Sequence, residues 1–201
     1  SKYHVTGDGD SGTLKNKYAQ YLDTITGFYN GRKNGYHWCA IFVDWCFVQA
    51  YGVSMAKKIT YHTTSGAGCG SCAKAYYNKG RFFTKNPQPG DEIFFDWDGG
   101  GKAKSASDCL LAHHTGIVYS VNGDTITTIE GNTSDGKGHY SAVAKKTRKL
   151  SASTTMGFGR PVWEQVEEHD PENPSPWTPE LPEEPQIEPP TVANLKINKV
   201  F

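Results

Sequence analysis

Apolar residues recur at helical spacing early in the chain, where Leu14, Tyr18, Leu22, Ile25 and Phe28 fall on one face. This predicts an amphipathic helix over 13–28, capped by Thr13 and ended by the turn at Asn30-Gly31. A second helix is predicted over 38–51. It is apolar nearly all round, with Asp44 and Gln49 its strongly polar members, so it belongs in a core, and Gly52 closes it. A third short helix covers about 72–78 and ends at Gly80.

From Pro89 the period changes to that of strands. Pro89-Gly90-Asp91 forms a turn before a strand over 92–97. The stretch 98–111 is Gly-rich and polar at its start and reads as a loop insertion. Strands at 115–121 and 124–130 flank Asn122-Gly123, a strong two-residue hairpin signal, and two more follow near 141–147 and 156–163. Helices first and an antiparallel sheet afterwards argue for an α+β fold.

After Trp163 the texture changes again. Eight of the eleven prolines lie in 171–190 with acidic residues between them, a composition that favours extended, semi-rigid chain. The reading is therefore a domain over 1–163, a Pro/Glu-rich linker over 164–190, and the opening of a further domain at 191–201. The net charge of zero hides a split. Residues 1–163 carry 19 Lys+Arg against 12 Asp+Glu, and 164–201 carry 2 against 9. A basic domain suits an anionic partner such as nucleic acid or bacterial wall, and its scattered cations disfavour nucleic acid. No apolar run approaches the ~20 residues of a membrane span. Residues 1–10 lack the apolar core of a signal peptide.

Five cysteines, an odd number, leave one thiol unpaired within a monomer and favour synthesis in a reduced compartment. Cys39 stands out because it opens the buried helix, where unpaired N–H groups and the helix dipole favour an anion. A free thiol is only about 3% thiolate at pH 7, so a helix start beside an imidazolium changes its reactivity. Cys46, seven residues on, reads as an ordinary buried thiol. Cys69-Gly70-Ser71-Cys72 has half of a zinc-site spacing, with Cys46 or Cys109 available to complete it, but no second Cys-x-x-Cys exists. A disulfide involving Cys69, Cys72 or Cys109 is the stronger alternative to free thiols.

His114 opens the strand His114-Thr115-Gly116-Ile117-Val118. Taking Asn122-Gly123 as the hairpin loop sets Glu130 opposite Thr115 and Asn132 opposite His113, so both polar groups are expected to reach the imidazole edge. A polar group there would fix the ring tautomer. Cys39, His114, Glu130 and Asn132 are thus the candidate catalytic residues, with Trp38 and Tyr36 as candidate substrate-binding residues in the cleft.

At these residues the sequence resembles the CHAP family, the cysteine, histidine-dependent amidohydrolases/peptidases. The likeness runs over about 14–163. It rests on Asn34-Gly35-Tyr36-His37-Trp38-Cys39-Ala40-Ile41-Phe42-Val43, on Pro89-Gly90-Asp91 with the strand after it, on His114-Thr115-Gly116-Ile117-Val118, and on Glu130-Gly131-Asn132. The resemblance implies a papain-like fold and cleavage of amide bonds in peptidoglycan, as in the catalytic domains of phage endolysins and autolysins acting on Gram-positive walls. It implies a monomer working at the cell wall without nucleic acid, membrane or cofactor, released by a phage holin or secreted with its leader removed. Wall-binding domains often follow such enzymes, which suits the linker. Some relatives bind calcium through an acidic loop before the nucleophile. Here that loop reads Asn30-Gly31-Arg32-Lys33-Asn34, without a carboxylate, so no metal is expected there. The competing reading is a papain-like module that binds wall without catalysis.

Overall fold

A computed structural model describes residues 13–136 and 141–166. The expected linker from 167 onward and the segment 191–201 lie outside the described residues. Helices α1 (Lys17–Leu22), α2 (Cys39–Ile59) and α3 (Cys69–Asn78) come first. Strands β1 (Phe82–Phe83), β2 (Glu92–Phe95), β3 (His114–Asn122), β4 (Thr125–Thr133), β5 (Ala142–Lys149) and β6 (Thr155–Gly159) form one antiparallel sheet in the order β1-β6-β2-β3-β4-β5. The α+β class follows directly from this order.

The first helix is much shorter than its apolar spacing suggests. Leu14 has a left-handed backbone (φ 51), and Asn16 rather than Thr13 is the cap, accepting the Ala19 N–H at 2.8 Å. Helix α1 ends at Asp23, yet Phe28 still packs into the core through the turns that follow.

Helix α2 runs longer than expected. Gly52 does break the helical backbone (φ 75, ψ 163), but the chain resumes its helix to Ile59. By length and composition α2 could cross a membrane, contrary to the expectation from sequence. Half of its most apolar window is buried within the fold, where Ile41, Phe42, Val43, Phe47 and Val48 join Tyr18, Leu22 and Phe28 in the main core. The expected insertion 98–111 contains a short helix, α4 (Ala106–Cys109), capped by the Ser105 hydroxyl, which accepts the Asp108 N–H at 3.1 Å.

Both faces of the sheet are used. Ile117 and Ile129 pack toward the helical core, and Phe94 joins Cys39, Ala73 and Tyr76 in a second cluster. Ile93, Phe95, Val118, Ile126 and Phe158 form a third cluster on the opposite face. The turn before β2 is held electrostatically. Asp91 is fully buried and pairs with Arg160, Nε to Oδ1 and Nη2 to Oδ2, both at 2.9 Å. Removing one member of a buried pair strands the other's charge. Arg160→Ala is therefore expected to cost about 3 kcal/mol and to lower the Tm by roughly 10 °C. A thermal melt that moves by no more than a degree or so would show that Asp91 finds another partner.

Candidate active site

The segment before α2 is held from several sides. Asp23 accepts the backbone N–H groups of Lys33 at 2.8 Å and Asn34 at 3.0 Å, so a carboxylate from outside the loop organises it. Trp38, the residue before the helix, is fully buried, stacked on Tyr18 at 5.3 Å, and donates its indole N–H to the Ser141 hydroxyl at 3.0 Å. The expectation that Trp38 binds substrate is corrected: its ring is committed to the core and fixes the entry into α2. Tyr36 is 62% exposed, with the Lys33 ammonium 5.8 Å from its ring, and remains free to meet a ligand.

Cys39 is the first residue of α2, and its side chain is buried. Three neighbours address its sulfur. Cys69, at the start of α3, places its own sulfur 3.3 Å away, and His114 and the Thr115 backbone both draw the Cys39 pKa down. The Cys69 hydrogen bond is the largest influence and, with His114, outweighs the burial that opposes ionisation, so the Cys39 thiol lies well below its ordinary pKa. Cys69 moves the other way, pushed up by its bond to Cys39 and by burial. The opposed shifts favour Cys69 as the S–H donor and Cys39 as the acceptor.

His114 turns its Nε2 to Glu130 Oε2 at 2.9 Å, and Cys39 acts on the same ring. Burial alone would lower its pKa, but the Cys39 and Glu130 hydrogen bonds and charges raise it to about 9. Burial would raise Glu130, but His114 and Arg148 bring it down to about 2. The directions together favour the Cys39 thiolate, the His114 imidazolium and the Glu130 carboxylate. Glu130 also accepts from the Thr128 hydroxyl at 2.6 Å and from Arg148 Nε at 2.8 Å, with Arg148 Nη2 on its second oxygen. The Arg148 guanidinium lies over the Phe95 and Trp97 rings, and Trp97 stacks on His114 at 5.5 Å.

The hairpin register differs from the expected one, and the difference decides the site. The loop is Gly123-Asp124, with Asn122 paired to Thr125. Continued without interruption, that pairing would set Glu130 opposite Ile117 and point it away from His114. A β-bulge between Val118 and Ser120 inserts one residue into β3, after which Val118 pairs Thr128 and Ile117 pairs Ile129. Glu130 therefore falls opposite Gly116, on the same face as His114 and diagonal to it. Gly116 is needed at that point: a Cβ there would sit 2.6 Å from Glu130 Cγ.

Asn132 does not bond to His114 as expected. It adopts a left-handed backbone (φ 50), turns its Nδ2 to His37 Nδ1 at 3.2 Å, and accepts from the Ser141 hydroxyl at 3.5 Å. Between them, Gly131 lets β4 lie against α2; a Cβ there would meet Phe42 at 2.5 Å and the Trp38 ring at 2.8 Å. Glu130 thus orients the imidazole, while Gly131 and Asn132 hold the segment that carries Cys39. The sequence reading missed Arg148, Thr128 and Trp97, and took Cys69 only as a disulfide or zinc candidate. Trp97, the last residue of the predicted strand over 92–97, carried a local signal.

All five cysteines are free thiols. Among the described residues, Asp96, Asp98 and His113 bring three potential ligand atoms within 4.8 Å of one another. Asp96 is already engaged, accepting the N–H groups of Asp98 at 3.0 Å and Gly100 at 3.1 Å.

A thiolate at a helix start, paired with an imidazolium that a buried carboxylate orients, is the equipment of cysteine-dependent acyl transfer. The CHAP domain family model matches residues 31–132, and the chain belongs to the CHAP family. CHAP domains in general are papain-like, cysteine-dependent amidohydrolases and peptidases that act on peptidoglycan. No curated protein matches the chain. A solved structure titled "The crystal structure of Ly7917" is similar at 12% identity with a TM-score of 0.39, the alignment covering 75% of this chain and 61% of that one. The chain therefore spans less than two thirds of that protein's length.

Proposed function

We propose that this chain cleaves amide bonds in bacterial peptidoglycan, of the Gram-positive type, by acyl transfer from Cys39. It acts as a monomer at the cell wall, either as an N-acetylmuramoyl-L-alanine amidase or as an endopeptidase of the stem peptide or cross-bridge. The observation that carries the reading is the buried His114–Glu130 pair, 2.9 Å from Nε2 to Oε2, acting on a Cys39 thiol that opens α2 and whose pKa His114 draws down.

The Cys39 thiolate attacks the amide carbonyl carbon, and the C=O pair moves onto oxygen. N–H groups at the start of α2 receive that oxyanion. As the C–N bond breaks, His114 gives its proton to the leaving amine. Neutral His114 then takes a proton from water, which attacks the thioester and releases the carboxylic acid and the thiolate. Asn132 contributes by fixing the His37-Trp38 segment and Glu130 by fixing the ring of His114; half-exposed Trp97 stacks on His114, and exposed Tyr36, three residues before Cys39, is available to meet substrate.

Purified Gram-positive walls incubated with the chain should release fragments whose new ends, read by mass spectrometry, identify the bond. Walls that bind the chain and release nothing would replace the enzyme with the wall-binding module.

The pH profile follows from the ion pair. The reactive state needs His114 protonated and Cys39 ionised. His114 has its pKa raised to about 9, so kcat/KM should hold across neutral pH and fall about tenfold per unit above about 9. At the acid end it falls as Cys39 takes up a proton, below the ordinary thiol range. A profile that rises through pH 9 would contradict the pair.

A further inference from the structure

Cys69 is a second thiol in contact with the nucleophile that the hydrolytic steps do not consume. Two helices deliver the pair: Cys39 opens α2 and Cys69 opens α3, with their sulfurs 3.3 Å apart and both side chains buried. The start of α3 is fixed in place, because Gly70 packs so closely on the Leu110 backbone that a Cβ there would lie 2.7 Å from its carbonyl oxygen. The remaining cysteine of Cys69-Gly70-Ser71-Cys72 is directed elsewhere, its S–H donating to the Gly66 carbonyl at 2.8 Å.

We propose that Cys39 and Cys69 form a reversible disulfide under hydrogen peroxide, with Cys69 the resolving thiol that protects the nucleophile from irreversible oxidation. In the first step the Cys39 thiolate attacks one peroxide oxygen. An S–O bond forms, the O–O bond breaks, and the departing hydroxide takes the His114 proton to become water. In the second step the Cys69 sulfur attacks Cys39 Sγ of the sulfenic acid. An S–S bond forms, the S–O bond breaks, and the departing hydroxide leaves as water with the Cys69 proton. The two sulfurs lose two electrons in all, and one peroxide becomes two waters. Without a resolving thiol, the sulfenic acid is open to a second peroxide and the irreversible sulfinic acid. A sulfur already held in contact makes the resolving step intramolecular and fast. A dithiol reductant reverses the linkage by exchange.

The consequence for activity rests on Cys39 being the nucleophile; the linkage itself does not. The full chain treated with peroxide should lose two hydrogens in mass, and non-reducing peptide mapping should join the Cys39 peptide to the Cys69 peptide. Wall hydrolysis should vanish and return almost fully with dithiothreitol. In Cys69→Ser the same treatment should instead add oxygen to Cys39, and the share of that variant's own starting activity recovered by dithiothreitol should drop about tenfold. Cys72→Ser should behave as the parent chain. A Cys69–Cys72 linkage with Cys39 free, or equal recovery in the parent chain and Cys69→Ser, would overturn the proposal. Mapping on the parent chain decides the linkage even if Cys69→Ser fails to fold. A mapped Cys39–Cys69 linkage in a chain whose hydrolysis is unchanged would leave the disulfide standing and count against Cys39 as nucleophile.

Discussion

Cys39→Ala is expected to reduce wall hydrolysis by about 10⁴-fold or more while the chain stays folded. The loss is large because Cys39 is the thiol at the start of α2 whose pKa is drawn down by His114, while burial still holds Cys69 up once its bond to Cys39 is gone and also raises Cys46, Cys72 and Cys109. The fold survives because the substitution removes one buried sulfur, a change worth about 1–2 kcal/mol. It also makes a prediction independent of substrate. The thiolate is among the largest influences raising His114, so the His114 pKa should fall below about 9 in the variant, followed by NMR of the imidazole. Substantial lysis by Cys39→Ala would remove this residue from the chemistry. Lost activity with an unmoved His114 pKa would show that the ion pair is not formed.

The site's parts were legible in the sequence to the degree that their signals are local. Cys39 could be chosen among five cysteines because a buried apolar helix begins there, a property of about a dozen neighbouring residues. His114 could be preferred to His113 through the family motif. In the structure His113 is half-exposed beside Asp96 and Asp98, and His114 is buried against Cys39 and Glu130. The order of helices and strands was readable for the same reason, since each follows its own period. What failed depended on single-residue register. Both the loop position and the bulge in β3 shift which residue faces which, and each shift of one exchanges the two faces of a strand. Nothing in Val118-Tyr119-Ser120 announces a bulge, so the expected pairing reached the right partner, Glu130, through the wrong opposite residue. Arg148, and the pairing of Cys69 with Cys39, were invisible for a further reason. Their partners are 18 and 30 residues away, and β5 alternates in burial whether or not one of its cations is needed inside. Trp38 misled because a large aromatic beside a nucleophile suits a cleft and a core equally, and only packing on Tyr18 and the bond to Ser141 distinguish them.

Glu130→Gln should lower kcat/KM by about 10²–10³-fold and move the alkaline limb of the pH profile down from about 9. Every hydrogen bond to this carboxylate comes from a donor: His114 Nε2, the Thr128 hydroxyl, and Arg148 Nε and Nη2. Glutamine supplies one acceptor oxygen and a donating NH₂ in the same volume, so at least one buried donor must face another donor. If the oxygen stays with His114, Arg148 loses half of its bidentate partner. If it stays with Arg148, the His114 tautomer is no longer enforced. In both cases the negative charge that stabilises the imidazolium is gone. The sign follows: His114 is protonated less strongly, its pKa falls, and the thiolate–imidazolium state becomes a smaller fraction of the protein at neutral pH. A purely structural role for Glu130 predicts a lower Tm with an unmoved pH profile and an unmoved His114 pKa. The two are separated by titrating the imidazole in the variant. Arg148→Ala supplies the complementary case, because it removes the guanidinium but leaves the carboxylate charge on His114. It should raise Glu130 from about 2, while the alkaline limb stays closer to about 9 than in Glu130→Gln.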